Sequence, residues 1–400
     1  MASVFDTMLD AEQVAAFLAY REGARSHDPY LPAMRDYLLS DRYPNDVARL
    51  RSGDYYFSVP VKKLIPKSYT DRKRVVYHFQ KDEMSLLRMM AFTLHYHNGM
   101  FSPNLYSFRR GVSAKDCLNK MKHDLRLPSL PAVKADVQAY GSSIDIDLLI
   151  PCVERAFVDD PEFVAFVRWL LQRRTFFFDG QLMQGDTSAL PGIPIHNLFT
   201  NLYLSDADEL FSSRSVFYAR YSDDIVMFTR TDGEAHACLD DLLALLERKH
   251  LSPHPNKTEI LAPGAQFDFL GMSFCDCEID VAKSSLAKLK RRTRMRALYL
   301  ERDVRHLYPS REDKARRLIA LTNRTIYGRP GTDDFSWSRW VFPVVTKTDG
   351  LHELDLYVQH CLRYLLSGKW SNARYRVGYK ELKRLGYKSL VRAYFDEKER

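Results

Sequence analysis

The sixteen residues SVFYARYSDDIVMFTR, Ser215 to Arg230, constrain the fold more tightly than any other stretch. Two β-rich runs, SVFYARY and DIVMFTR, meet at a turn made by Ser222 and Asp223, which predicts a tight hairpin. Adjacent Asp223 and Asp224 point to opposite faces wherever the backbone is extended, yet at the tip both can approach a shared cation. Aspartate is ordinary in turns, so the pair alone carries little weight. Asp136 adds to it: this residue ends the apolar strand PAVKADV, eighty-seven residues before Asp223. An Asp there either caps the next helix or meets a cation. Hard oxygen ligands from two strands suit Mg²⁺, with Mn²⁺ as a substitute. Two such ions, about 3.5–4 Å apart, would stabilise both the attacking and the leaving oxygen of an in-line displacement.

The rest of the chain reads as an α+β body followed by helices. Residues 10 to 45 have helical spacing. YYFSVPVKKLIP and RKRVVYHF predict two strands joined by the polar turn SYTD. MSLLRMMAFTLHYH reads as a helix ended by Gly99, and PAVKADVQAY as a strand broken at Gly141. IDIDLLIPCVERAF, PEFVAFVRWLLQRR, NLFTNLYLSDADELF and EAHACLDDLLALLERKH are helical. KTEILAP and FDFLGMSF are extended, and after residue 281 strand signals nearly vanish. We therefore expect an N-terminal helical extension (1–60), a mixed body (61–280), a basic helical segment (281–345) and a C-terminal helical region (346–400).

Charge is just as unevenly distributed. Of 400 residues, 59 are Lys or Arg and 51 are Asp or Glu, a net +8. Residues 281 to 330 hold fifteen basic and four acidic side chains, a net +11, so the other 350 residues sum to 8 − 11 = −3. Within KLKRRTRMRALYLERDVRHLY, the apolar positions Leu286, Leu289, Leu298, Leu300 and Val304 suit one buried helix stripe. Arg291, Arg292 and Arg294 lie outside that stripe. A solvated helix face explains such a run by itself. A basic face bordered by Tyr299, Tyr308 and Tyr327 also suits tracking a nucleic-acid backbone. No run of apolar residues is long enough to span a membrane, and MASVFDTMLDAEQ has acids where a signal peptide needs bases. The six cysteines lack paired C-x-x-C spacing, so we expect reduced thiols in a cytoplasmic protein without zinc.

The motifs as a series resemble the fingers and palm of reverse transcriptases, particularly bacterial ones related to retron and group II intron enzymes. VKADVQAYGSSI resembles their first carboxylate motif and YSDD their Y-x-D-D hairpin. PGIPIHNLFTNLYLSDAD resembles the P-Q-G-x-x-x-S-P-x-x-x-N-x-Y-L-x-x-x-D motif. NKTEI and FDFLGMSF resemble the following lysine motif and primer-grip hairpin. LIPKSYTDRKRVV and FSPNLYSFRRGVSAKDCL resemble two segments of the fingers. Seven motifs stand in family order between residues 60 and 275.

The resemblance implies a right-hand polymerase: fingers, a palm with an antiparallel sheet, a basic helical thumb after 281, and a C-terminal helical region. Asp136, Asp223 and Asp224 would hold two metal ions, with the Val137 carbonyl as a further ligand. Lys67 and Arg74 would grip the incoming dNTP, and Lys257 would neutralise or protonate pyrophosphate. Gly192 would let backbone lie near the nascent base pair. Arg109 would touch template phosphate, Phe269, Leu270 and Gly271 would form the primer grip, and Arg291, Arg292 and Arg294 would contact nucleic acid. RNA template and DNA product are the implied partners; homo-oligomerisation stays open.

Two departures stand out. Leu190-Pro191-Gly192 replaces P-Q-G, and His196-Asn197 replaces S-P. The position five after the first Asp, where a large ring normally blocks a ribose 2′ hydroxyl, is Gly141. Either discrimination against ribonucleotides is weak or the preceding Tyr140 serves instead. The Trp- and Tyr-rich tail, without RNase H, H-N-H or zinc signatures, looks like defence-associated ("unknown group" and abortive-infection) reverse transcriptases. That looser resemblance implies a role against phage with a dedicated noncoding RNA. Two alternatives remain: a template-independent or protein-primed polymerase, and an RNA-binding scaffold with a vestigial site.

Overall fold

The computed structural model describes residues 3–24, 28–66, 73–185, 187–303, 306–328 and 336–399. By internal contacts the chain forms two units, Met1–Cys117 with Ser129–Pro263, and Leu118–Pro128 with Gly264–Arg400.

The first unit begins with four helices, α1 (Val4–Leu9), α2 (Ala11–Ala24), α3 (Leu31–Leu38) and α4 (Arg42–Ser52). Strands β1 (Val61–Pro66) and β2 (Lys73–His78) pair antiparallel, Val61 opposite His78. Helix α5 (Lys81–Thr93) starts at a capping box between Gln80 and Glu83. It gives way at Leu94 to a 3₁₀ stretch that runs on through Gly99 to Met100, so Gly99 does not end the α-helix. Next come α6 (Ala114–His123), which from Leu118 on is counted with the second unit, β3 (Ala132–Asp136), the single turn α7 (Tyr140–Ser143), α8 (Ile146–Ala156) and α9 (Pro161–Gln172). The break in PAVKADVQAY falls right after Asp136, and Gly141 lies inside α7.

Strands β4 (Thr175–Phe178) and β5 (Gln181–Gln184) form a hairpin on Asp179-Gly180, both at positive φ, and complete a β2-β1-β4-β5 sheet. An Asp-Gly turn between β-prone runs is a strong hairpin signal, and the sequence reading above passed over it. Helices α10 (His196–Tyr203) and α11 (Ser205–Arg214) lead to β6 (Phe217–Tyr221) and β7 (Asp224–Phe228). Helix α12 (Asp232–Arg248) and β8 (Glu259–Leu261) follow, giving a second, antiparallel sheet in the order β6-β7-β3-β8. Its central strands are buried, and one apolar core runs from Val4 in α1 to Leu251 after α12.

The second unit contains β9 (Phe267–Phe269), β10 (Met272–Cys275) and β11 (Glu278–Val281), paired in the order β11-β10-β9. Helices α13 (Lys283–Arg302), α14 (Arg311–Tyr327), α15 (Trp337–Val341), α16 (Asp349–Ser367), α17 (Ala373–Arg376), α18 (Tyr379–Arg384) and α19 (Leu390–Lys398) make up its remainder. The contact boundary at Gly264 precedes the compositional one near 281 because this small sheet packs with the helices. Thr346 N–H donates to the Ile279 carbonyl at 2.8 Å, for example. The buried stripe of α13 is Leu286, Thr293, Ala297 and Leu300. Leu289 and Leu298 are only half-buried, and Val304 lies outside the described residues. No helix among the described residues is long and apolar enough to cross a membrane.

Candidate active site

β3 and β7 place two carboxylates directly opposite each other. Asp136, the last residue of β3, pairs in register with Asp224, the first of β7. The hairpin turn between β6 and β7 is Ser222-Asp223, with Ser222 in the left-handed region at φ 60°. Val137 N–H donates to the Asp223 carbonyl at 3.1 Å, which ties the end of β3 to that turn. The chain after α12 is laced to the same spot: Gln138 N–H donates to the Ser252 carbonyl, and His254 N–H to the Asp136 carbonyl at 2.7 Å. This brings Lys257 within reach, and its Nζ lies 2.7 Å from Asp136 Oδ2.

The electrostatics of this cluster are strained. Asp136 is 7 % exposed. Burial, with the charges of Asp223 and Asp136, pushes the Asp224 carboxyl up to about 6, against smaller opposing effects from Lys257 and Lys134. Burial opposes the charged form of Lys257, but its hydrogen bond and charge pairing with Asp136, helped by Asp224 and Asp223, raise its pKa overall. Among the described residues, no three His, Cys, Asp or Glu side chains are gathered into a ready ligand cage. The donor chemistry still fits a hard divalent cation: neighbouring carboxylates, one of them made reluctant to ionise by burial and by the charges of the other two.

Beneath the turn lies a group the sequence reading missed. Arg220 is fully buried in β6, and its guanidinium makes a bidentate pair with Asp208 of α11, at 2.7 and 2.6 Å. It also donates to the carbonyls of Asn201 at 3.0 Å and Ser222 at 3.3 Å. Tyr218 donates to Asp208 at 2.8 Å. Burial disfavours the Arg220 charge, but Asp208 outweighs it and holds the guanidinium firmly protonated. The turn is further pinned when Ser222 N–H donates to Ser107 Oγ, which in turn donates to Asn201 Oδ1, both at 2.9 Å. An arginine inside the apolar strand FYARY was itself a signal, since a buried guanidinium requires a buried acid.

The other candidates are dispersed. Arg74 is exposed on β2, and Lys67 lies outside the described residues. Gly192, at φ +99°, does not keep space open for a ligand: a Cβ there would stand 2.8 Å from Val76 Cβ. Its loop is docked on β2, where Tyr77 N–H donates to the Pro191 carbonyl at 2.7 Å. Arg109 spends its guanidinium on the backbone carbonyls of Ser102 and Leu105 at 2.7 and 2.8 Å, and staples its own loop. Those donors are therefore already engaged by protein. Tyr140 is 2 % exposed and its hydroxyl donates to the Thr200 carbonyl at 2.5 Å, so its ring belongs to the core and offers no wall to a sugar. Gly141 faces His196, whose Nε2 lies 3.0 Å from where a Cβ would sit. The two sequence departures are thus in contact. His196 Nδ1 bonds the Ala189 carbonyl at 2.9 Å, and burial pushes its pKa down to about 4, leaving a neutral imidazole.

In the second unit Phe269 is buried, and Leu270-Gly271, at φ 48° and 83°, turn β9 into β10. Arg291, Arg292 and Arg294 are exposed on α13, and Arg294 lies over the Trp370 ring at 5.8 Å.

Among curated proteins, none matches this chain. Solved structures similar to it include a telomerase from Candida albicans in complex with a TWJ fragment of telomeric RNA, at 12% identity and TM-score 0.43, over 90% of this chain and 68% of that one. Apo telomerase from Candida tropicalis is similar at 12% identity and TM-score 0.47, over 85% and 66% of the two chains. A form of the latter truncated from its C-terminal domain gives 12% and 0.44, over 56% and 55%. These are distant likenesses of shape that do not bear on activity. The model of the family described as reverse transcriptase (RNA-dependent DNA polymerase) matches residues 65–274, just over half the chain. That span takes in β3, the β6–β7 turn and Lys257, and the chain belongs to the reverse transcriptase family, as an RNA-directed DNA polymerase.

Proposed function

We propose that this polymerase works with two Mg²⁺ ions held by Asp136, Asp223, Asp224 and the Val137 carbonyl, and copies a dedicated noncoding RNA in bacterial defence against phage. The observation that carries the catalytic part is the register pairing of Asp136 with Asp224 beside the Asp223 turn. Bound there, the ions would polarise the 3′ hydroxyl and the triphosphate oxygens. The chain's own residues do the rest. Arg74, with Lys67, provides cations on the fingers side for the triphosphate. Lys257 is the proton-bearing group at the carboxylate end of the sheet, suited to the leaving pyrophosphate. The Arg220–Asp208 pair holds the turn so that the carboxylates need no reorganisation.

The defence reading rests on the resemblance of the Trp- and Tyr-rich tail, and a cytoplasmic location goes with it. Leu190-Pro191-Gly192 in place of P-Q-G favours, as a second reading, synthesis without a template or from a protein hydroxyl.

The test is polymerisation by protein purified with its own RNA, with Mg²⁺ and labelled dNTPs singly and together. DNA that requires all four dNTPs and the copurified RNA supports templated copying. A homopolymer, or product recovered from the protein phase only after protease, supports the second reading. Asp223→Ala with Asp224→Ala should abolish synthesis, and protection of cells from phage should be lost with it. Protection that survives in this double variant would leave an RNA-binding scaffold.

A further inference from the structure

Outside the polymerase residues, the second unit holds a cavity of about 730 Å³ between the end of α14, α15, α18 and α19. That volume falls within the roughly 300–1,000 Å³ typical of sites for ligands of drug or nucleotide size. Its wall has two features that bear on what it could hold. One is aromatic: Tyr379, 40% exposed, stands edge-on to buried Tyr387 with ring centroids 6.3 Å apart. The other is cationic: Arg339, Lys383, Lys388 and Arg392 line the same space, against Asp396 and Glu397. Arg392 reaches Asp396 only loosely, at 3.9 Å, and neither Lys383 nor Lys388 has an ion pair among the described residues.

The wall is built rather than incidental. Buried Asp355 of α16 accepts hydrogen bonds from the Tyr387 hydroxyl, from Ser389 Oγ at 2.6 Å and from Leu390 N–H at 3.0 Å. These bonds fix both neighbours of Lys388, and with them the chain that carries its side chain. The Tyr327 hydroxyl in the same wall has no hydrogen-bond partner among the described residues.

An open ring beside two lysines without an ion pair among the described residues, Lys383 and Lys388, suits a ligand with a planar face and a phosphate. We propose that this cavity is a second, non-catalytic nucleic-acid site, which takes one or two unpaired ribonucleotides of an RNA bound by the protein. A base lies against Tyr379, and phosphates meet Lys383, Lys388 and Arg392. A free nucleotide shares this chemistry, and the experiment separates the two sources. The proposal needs only that the enzyme binds RNA; it stands or falls independently of the defence reading.

The test uses the full chain with Asp223→Ala and Asp224→Ala, so that binding is read without synthesis. An unstructured RNA decamer is titrated over a range of salt concentrations. Each cation lost from a single strand lowers the slope of log K against log salt by about 0.7, so Lys383→Gln with Lys388→Gln should lower it by about 1.4. Lys369→Gln with Lys380→Gln, the same charge change on exposed lysines that do not line the cavity, should leave the slope alone. Tyr379→Ala should weaken binding by about tenfold, the scale of one lost stacking contact, and Tyr379→Phe should restore it. A decamer carrying 4-thiouridine should crosslink within residues 379–392. All four proteins should melt alike, because the altered side chains are exposed. An unchanged slope with no crosslink in that segment overturns the proposal. Competition by AMP as strong as by RNA, per nucleotide, also overturns it and assigns the cavity to free nucleotides. Polymerisation by the unaltered protein is measured in parallel, so a failure here is distinguishable from failure of the catalytic reading.

Discussion

Two clusters of charge lie within a few residues of each other in the first unit, one wholly buried and one partly, and they are handled in opposite ways. Below the β6–β7 turn, Arg220 meets Asp208 on both carboxylate oxygens and spends its remaining donors on backbone carbonyls. At the turn itself, Lys257 pairs with Asp136, and burial first, then the charges of Asp223 and Asp136, push the Asp224 carboxyl up to about 6. The first cluster is closed: every charge has its counterpart, and the effect is to hold a shape. In the second, Lys257 and Lys134 do not offset burial and neighbouring negative charge at Asp224, so one carboxyl stays reluctant to ionise. The two clusters thus differ in whether charge pairing outweighs burial: it does at Arg220 and does not at Asp224.

The sharpest way to break this comparison is to open the closed cluster. Arg220→Met leaves the Asp208 carboxylate buried and unpaired, and should cost about 3–5 kcal/mol in urea unfolding. Arg220→Met with Asp208→Leu should recover much of that loss while still weakening polymerisation, since the turn loses its bonds to Ser222 and Asn201. A double variant as unstable as the single one would mean that the pair is not the unit of stability.

The next effect concerns the open cluster. The folded pKa of Asp224 lies above its unfolded value near 3.8, so the folded state binds the extra proton between these values. Stability therefore falls as pH rises from about 4 to about 6, by on the order of 2–3 kcal/mol. Asp224→Asn should remove that fall and raise the melting temperature at pH 7.5 in EDTA. Mg²⁺ should stabilise the unaltered protein at pH 7.5 and have little effect below pH 5. Equal stabilisation at both pH values would contradict the raised pKa of Asp224.

His196 gives the opposite sign. Its folded pKa of about 4 lies below the unfolded value near 6.5, so its contribution is present above 6.5 and is lost as pH falls toward 4. At pH 5 the loss should be about 2 kcal/mol, and His196→Gln should flatten that part of the stability profile. The smallest expected effect is on sugar selection. Tyr140 lies in the core and the His196 imidazole against Gly141, so residue 141 itself brings no large ring to the gate register. The preference for dTTP over UTP should stay under about 100-fold, the scale set by modest contact differences. A preference beyond about a thousandfold would mean that another residue excludes the ribose.

What the sequence determined by itself was local or periodic. The hairpin around Ser222-Asp223, the strand ending at Asp136 and the helical character after residue 281 are written in alternation, turn chemistry and spacing. The match of the family model over residues 65–274 follows from such motifs in order. Tertiary structure decided the partnerships. That Lys257 rests on Asp136, that Gly192 is packed on Val76 and that His196 meets Gly141 are contacts between residues far apart in sequence, and that Arg220 finds Asp208 is a contact between a helix and a strand twelve residues on. Their side chains carry no periodicity that names a partner. Arg109 and Tyr140 show the reverse: the residue type allowed an outward role, and only packing turned one to backbone carbonyls and the other into the core. A burial pattern repeats along the chain and can be read from it, whereas the match between one charge and its counterion is made across space once the core has closed.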